Sequence, residues 1–302
     1  MTQLHGILPI VNTPFLDNGE IDDTSLQRQI DWAFQCGAQG LCTGMVSEIL
    51  RLTSDERIDL TRRLVAHCNG RGAVVMSVGA ESTKQAILFA KEAEQAGCSA
   101  VMAIPPTSVS LPISEVISYY HAIANHIDLP LIVQDASAYV GEPIPISVCV
   151  ELLDQYGPNK ILFKPEATPM GPHLSALRDA SQRRARMFEG SGGVLLVDSY
   201  RRGVAGTMPG MEILSAIVAL WNALQRKDEK AVYRLYFPIC ALVVQQMQAG
   251  LDGYIAIEKY LLVKQGILAN DHRRRPYNWS LDAETRAEVD RLFAAVSEAL
   301  ET

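Results

Sequence analysis

Two patterns of apolar residues alternate along the chain. Short runs of β-branched and aliphatic residues fit strands buried on both faces, and longer stretches with apolar positions every three or four residues fit amphipathic helices. The short runs predict strands at 6–11, 40–43, 73–78, 100–104, 129–134, 161–164, 186–189 and 204–207. The longer stretches predict helices at 24–36, 54–68, 82–96, 114–126, 146–155, 173–181, 194–201 and 212–225. Thr53 or Ser54 is a natural N-cap for the second helix. Glycine falls between a helix and the next strand at Gly37, Gly70, Gly97, Gly157 and Gly203, as expected for helix ends that turn through positive φ. Strand and helix in strict alternation mean a parallel sheet. Eight such units are the count of a (β/α)8 barrel, expected over residues 1–227. A doubly wound open sheet is the rival, but no GxGxxG follows the first strand. Three further helical stretches, 230–248, 253–265 and 282–300, carry no strand signal and predict a C-terminal helical extension over 228–302.

Composition narrows the class. The 302 residues are 48% hydrophobic and 20% charged, enough apolar content for a large core. A net charge of −7 argues against nucleic acid or an anionic membrane as partner. The N-terminus enters a strand directly, with no basic segment leading into an apolar one, so no signal peptide is expected. No apolar run approaches the ~20 residues needed to span a bilayer. Six cysteines are scattered without a CxxC pair and read as reduced core residues of a cytoplasmic protein. His121 and His126 lack metal spacing and there is no HExxH, so neither a metal nor another cofactor is expected. The basic stretch 270–276, which holds Arg273, Arg274 and Arg275, reads as a solvated loop.

Chemistry in a barrel of this kind sits at the C-terminal ends of the strands. The sixth strand ends in Phe163-Lys164-Pro165-Glu166. A lysine there either reaches solvent or serves as an amine nucleophile. In the second case burial would favour its neutral form, and the amine would condense with a 2-keto acid to form an iminium electron sink. Glu166, two residues on, points the same way in extended chain and either orients the lysine, moves protons or sits at the surface. Gln134, ending the fifth strand, is either a satisfied core amide or a donor to substrate hydroxyls. The Gly44 to Glu48 turn is either an ordinary turn capped by Ser47 or a carboxylate site built from backbone N–H groups and the Ser47 hydroxyl. Gly190 to Gly193 is either a plain glycine-rich turn or a phosphate cradle, which leaves open a phosphate-binding isomerase. GxSxG is not satisfied at Ser191.

Taken in order, several motifs resemble the dihydrodipicolinate synthase / N-acetylneuraminate lyase family of class I (β/α)8 lyases. They are Gly6-x-x-Pro9-x-x-x-Thr13-Pro14-Phe15, Gly44-x-x-x-Glu48 followed by Leu52-Thr53-x-x-Glu56-Arg57, Phe163-Lys164-x-Glu166-Ala167-Thr168 and Gly203-x-x-Gly206-Thr207. The resemblance spans nearly the whole chain, including the helical tail. It implies Lys164 as the Schiff-base lysine, beside which Gln134 and Glu166 are the candidate catalytic residues. It also implies the Gly44 to Glu48 turn as the site for the keto-acid carboxylate and a cytoplasmic homo-oligomer, tetramer or dimer; the candidate substrate contacts are Met45, Val46, Ser47, Gly206 and Thr207.

The departures from the family bear on the substrate. Met45 and Val46 stand where members usually carry two threonines or a Ser-Thr pair, and Gln134 stands where most carry a proton-shuttling tyrosine. Tyr139 takes the place of the synthase's arginine, and Pro106-Thr107-Ser108 replaces an aromatic pair. These changes argue against lysine biosynthesis. Val133-Gln134-Asp135-Ala136 resembles the branch that dehydrates 2-keto-3-deoxy sugar acids, such as 2-keto-3-deoxyarabonate dehydratase. The expectation is therefore a lyase acting on a small 2-keto acid, with dehydration ahead of retro-aldol release of pyruvate or a synthase-like condensation. A non-catalytic barrel that only binds keto acids is the remaining alternative.

Overall fold

The computed structural model describes residues 4–138 and 140–301. Its elements run β1 (Gly6–Ile7), α1 (Asp23–Cys36), β2 (Gly40–Cys42), two 3-10 turns (Met45–Ser47 and Ile49–Arg51), α2 (Ser54–Cys68), β3 (Ala73–Ser77), α3 (Thr83–Ala96), β4 (Ala100–Ala103), α4 (Ile113–Ala124), β5 (Leu131–Asp135), α5 (Ile146–Tyr156), β6 (Ile161–Pro165), α6 (Met170–Ala180), β7 (Phe188–Glu189), α7 (Leu196–Arg201), β8 (Gly206–Thr207) and α8 (Leu214–Arg226). Three more helices follow: α9 (Glu229–Met247), α10 (Gly250–Lys264) and α11 (Ala283–Glu301). Eight strands alternating with eight helices, then a helical tail, is the element order of a (β/α)8 fold with a C-terminal extension.

Two compact units make up the chain. One holds the segment ending at Gly6, with Thr53–Gly190 and Asp198–Thr207. In it β3, β4, β5 and β6 pair in parallel and in sequence order, and β7 pairs with β8. Phe163 bridges Met187, which carries the ladder from β6 to β7. The strands are apolar on both faces: Val75, Val101, Met102, Leu131, Ile132, Ile161 and Leu162 are all buried. Such burial is what a run without polar alternation requires. α2 opens with the Thr53–Glu56 capping box, so two residues of the Leu52-to-Arg57 motif serve to start a helix. Arg57 donates to the carbonyls of Ser77 and Gly79 while stacked over Phe89, which pins the end of β3.

The other unit holds Ile7–Leu52, Ser191–Val197 and Met208–Thr302. Residues 7–12 lie along β2 through the Ile10–Cys42 bridge. α8, α9, α10 and α11 pack their apolar stripes together, burying Leu220, Ile239, Val243, Ile257, Leu261 and Val289.

Several boundaries differ from the sequence expectation for physical reasons. The first strand, predicted over 6–11, is regular only at Gly6–Ile7, because Pro9 has no N–H to give the ladder and the pairing resumes as a single bridge. α6 starts at Met170, not 173, because Pro172 falls in the first turn, where its missing N–H costs nothing.

Candidate functional site

In the first unit the register of β5 and β6 sets Gln134 beside Lys164. Lys164 is 2% exposed, so its amine is held away from solvent. Its Nζ lies 3.4 Å from Glu166 Oε2. The same oxygen accepts from Gln134 Nε2 at 2.7 Å, so the amide is committed to the carboxylate. The Glu166 backbone N–H donates to the Asp135 carbonyl, which keeps this segment extended past the strand end and Glu166 on the lysine's side. Burial raises the Glu166 carboxyl above its ordinary range; Lys164 and Gln134 pull it back down, and Glu189 adds a further upward push.

Glu189, which the sequence shows only as a strand end, belongs to this cluster. It is fully buried at the end of β7 and accepts the Thr207 hydroxyl at 2.5 Å. Two carboxyls, an amide and a hydroxyl therefore share one dry cluster with the amine, where charge interactions are strong. Gly190 follows at once. A Cβ there would run into the Glu166 carboxylate and Lys164 Cε, so glycine is what lets the chain pass beside the amine. Gly206, read as a substrate contact, is packed against the Gly6 backbone and the Phe188 ring, which makes its bareness a packing requirement.

In the second unit the Gly44 to Glu48 turn is built from its own hydrogen bonds. The Ser47 hydroxyl donates to the Val11 carbonyl at 2.5 Å and accepts the Gly44 N–H, and the Thr13 hydroxyl donates to the Ser47 carbonyl. The hydroxyl proton that the sequence offers to a carboxylate is thus spent on the turn. What remains for an anion are the N–H groups of Met45 and Val46, the leading donors of a 3-10 turn, which have no acceptor within that turn.

Glu48 closes the turn in the left-handed region at φ 58°, a strained setting for a non-glycine residue. Lys259 of α10 holds it there. Both side chains are fully buried, and Lys259 Nζ donates to Glu48 Oε1 at 2.5 Å, to the Thr13 carbonyl and to the His272 carbonyl. Burial pulls the Lys259 ammonium down and Glu48 pushes it back up. With three acceptors in place, this second buried lysine is a tie and not a nucleophile. A charged residue inside the apolar stretch 253–265 was the sequence signal for it.

The glycines after β7 are likewise used for packing. A Cβ at Gly192 would strike the Tyr254 hydroxyl, and one at Gly193 would strike Ile217 and Ile239. Tyr139, the sequence counterpart of the synthase arginine, lies outside the described residues.

The profile of the Dihydrodipicolinate synthetase family matches residues 3–294. The chain belongs to this family. Its relatives differ in reaction. An L-2-keto-3-deoxyarabonate dehydratase from Azospirillum brasilense is 28% identical over 294 residues, covering 94% of this chain and 92% of the relative. An N-acetylneuraminate lyase from Rhizobium meliloti is 31% identical over 170 residues, 56% of each. Among solved structures, a dihydrodipicolinate synthase from Rhodopseudomonas palustris superposes with a TM-score of 0.86 at 25% identity, covering 97% of each chain. A prophage protein of the same family from E. coli K12, solved with pyruvate, gives 0.89 at 21% identity, covering 98% of this chain and 99% of its own. The fold is the family's (β/α)8 barrel with a helical extension, and the protein is a lyase of that family. Among the described residues no helix is long and apolar enough to cross a membrane.

Proposed function

We propose that the protein dehydrates a 2-keto-3-deoxy sugar acid through a Schiff base on Lys164. The observation that carries this reading is the amine of a buried strand-end lysine set 3.4 Å from a buried carboxylate, with a second carboxylate close by.

The Lys164 amine attacks the C2 carbonyl and water leaves, giving an iminium. Glu166 takes a C3 proton, and the electron pair flows into the iminium to form an enamine. That pair then expels the C4 hydroxyl, which departs as water with a proton from a carboxylic acid. Proton shifts and hydrolysis release a keto-acid semialdehyde and free the lysine, for a net loss of one water. Glu189, buried beside Glu166 and bonded to the Thr207 hydroxyl, is the second carboxyl of the cluster. Gln134 fixes the carboxylate's orientation where most of the family would place a tyrosine. Within the second unit, the Met45 and Val46 N–H groups are suited to an anion.

Retro-aldol cleavage would instead need a base at the C4 hydroxyl. Product analysis decides. Incubation with a 2-keto-3-deoxypentonate is expected to yield a keto-acid semialdehyde in step with substrate loss. Free pyruvate in its place would overturn dehydration and leave an aldolase. No turnover of any 2-keto acid by folded protein would leave a binding barrel.

A further inference from the structure

The basic stretch 270–276 is a loop whose residues are exposed or half-buried. It forms one wall of a cleft of about 540 Å³ in the second unit, lined also by Phe15, Asp17, Tyr277 and Arg286. Four arginines face two aspartates there, Asp17 and Asp271, in a chain whose net charge is −7. Asp17 is already paired with His272 at 2.8 Å.

The arginines are held in place by aromatic faces. Arg273 and Arg275 lie 4.0 and 5.1 Å from the Tyr277 ring centroid, Arg274 4.6 Å from that of Phe15, and Arg286 5.0 Å from that of Tyr260. A guanidinium stacked by its face keeps its edge donors available for oxygen. Arg273 spends donors on the Asp252 and Trp279 carbonyls, and Arg274 on that of Gly19. Arg275 and Arg286 are exposed and form no salt bridge among the described residues, and the nearby Asp290 is taken up by Lys264 and Tyr260.

We propose that this cleft binds a small multivalent anion, a phosphate ester or polycarboxylate, gripped by the forks of Arg275 and Arg286 with Arg274 beside them. Planar forks match both oxyanions. The same segment is tied to the Gly44 to Glu48 turn. The Arg274 N–H donates to Glu48 Oε2 at 2.7 Å, and the His272 carbonyl accepts from Lys259, which holds the other Glu48 oxygen. An anion drawing on Arg274 and Arg275 therefore acts on the turn through two hydrogen bonds. This second, regulatory part rests on the reading of the turn as a carboxylate site; the binding site itself does not.

The test is isothermal titration of the full chain with pyrophosphate and, separately, with citrate, at constant ionic strength. One saturable site per chain is expected for at least one of them, weakened tenfold or more in Arg275→Ala/Arg286→Ala and unchanged in Arg62→Ala, an exposed arginine paired with Glu92. Tighter pyrophosphate assigns a phosphate ester; tighter citrate assigns a polycarboxylate. Heats that do not saturate, or that persist in the double variant, overturn the site. Because both side chains are exposed, the double variant keeps its melting temperature without ligand. The regulatory part is read by KM for the keto acid at saturating anion. KM shifts at least twofold in wild type and not in the double variant; an unshifted KM with binding intact overturns that part alone.

Discussion

Glu166 stands at the centre of the residue-scale account, because one oxygen meets both Lys164 and Gln134. Replacing it by Gln keeps the volume and removes the proton acceptor. Turnover should fall by about 10²–10⁴-fold while the covalent adduct with the keto acid still forms, a split that steady-state kinetics and intact mass resolve together. Burial raises this carboxyl, so the form that accepts protons is populated only above the ordinary carboxylate range of about 4.3. The acid limb of the kcat profile should therefore lie above that range and vanish in Glu166→Gln. Gly190→Ala tests the close approach beside the amine. The added methyl must displace Glu166 or Lys164, and overpacking of this kind costs about 1–3 kcal/mol. We expect a lowered melting temperature with a disproportionate loss of kcat. The adjacency of Lys164, Gln134 and Glu166 was legible because strand ends and period-two spacing speak directly of neighbours. Glu189 was not, because its proximity to Glu166 arises only when β7 is laid beside β6.

Between elements, the buried tie from α10 to the turn after β2 carries the energetics. Lys259→Met leaves Glu48 buried without its partner, which costs about 3–5 kcal/mol. Pairing it with Glu48→Gln should recover much of that, as chemical denaturation of the single and double variants would show; equal losses in both would contradict the tie. The segment just before α8 meets α9 and α10 at a second polar island. Glu212 and Glu258 are fully buried there, with Gln246 and Tyr254 donating to Glu212 and the Met211 N–H donating to Glu258. Burial raises both carboxyls, and Glu212 pushes Glu258 further. The folded state then holds protons that the unfolded chain has lost. That stability is complete below the unfolded carboxylate range and drains away as pH rises through the pair's native titration. Melting temperature should decline toward alkaline pH in wild type and decline less in Glu258→Gln. The helices themselves were read from their apolar period. These ties were not, since each joins residues between 34 and 211 positions apart.

For the whole molecule, family membership and reaction separate cleanly. Strand-helix alternation and the strand-end motifs were sufficient to read the (β/α)8 architecture, because period and spacing are properties of the sequence itself. The reaction depends on which groups surround one amine, and relatives with the same fold carry dehydratase, synthase and lyase names. On the proposed mechanism an iminium on Lys164 is the electron sink and carboxyls move the protons, so turnover should withstand EDTA; loss restored by a divalent ion would contradict that mechanism. The most direct test of the central claim is borohydride reduction in the presence of a 2-keto acid, read by intact mass and peptide mapping. The account predicts one adduct per chain, carried by Lys164 and absent from Lys164→Ala. An adduct elsewhere, or none on folded wild-type protein, would contradict it.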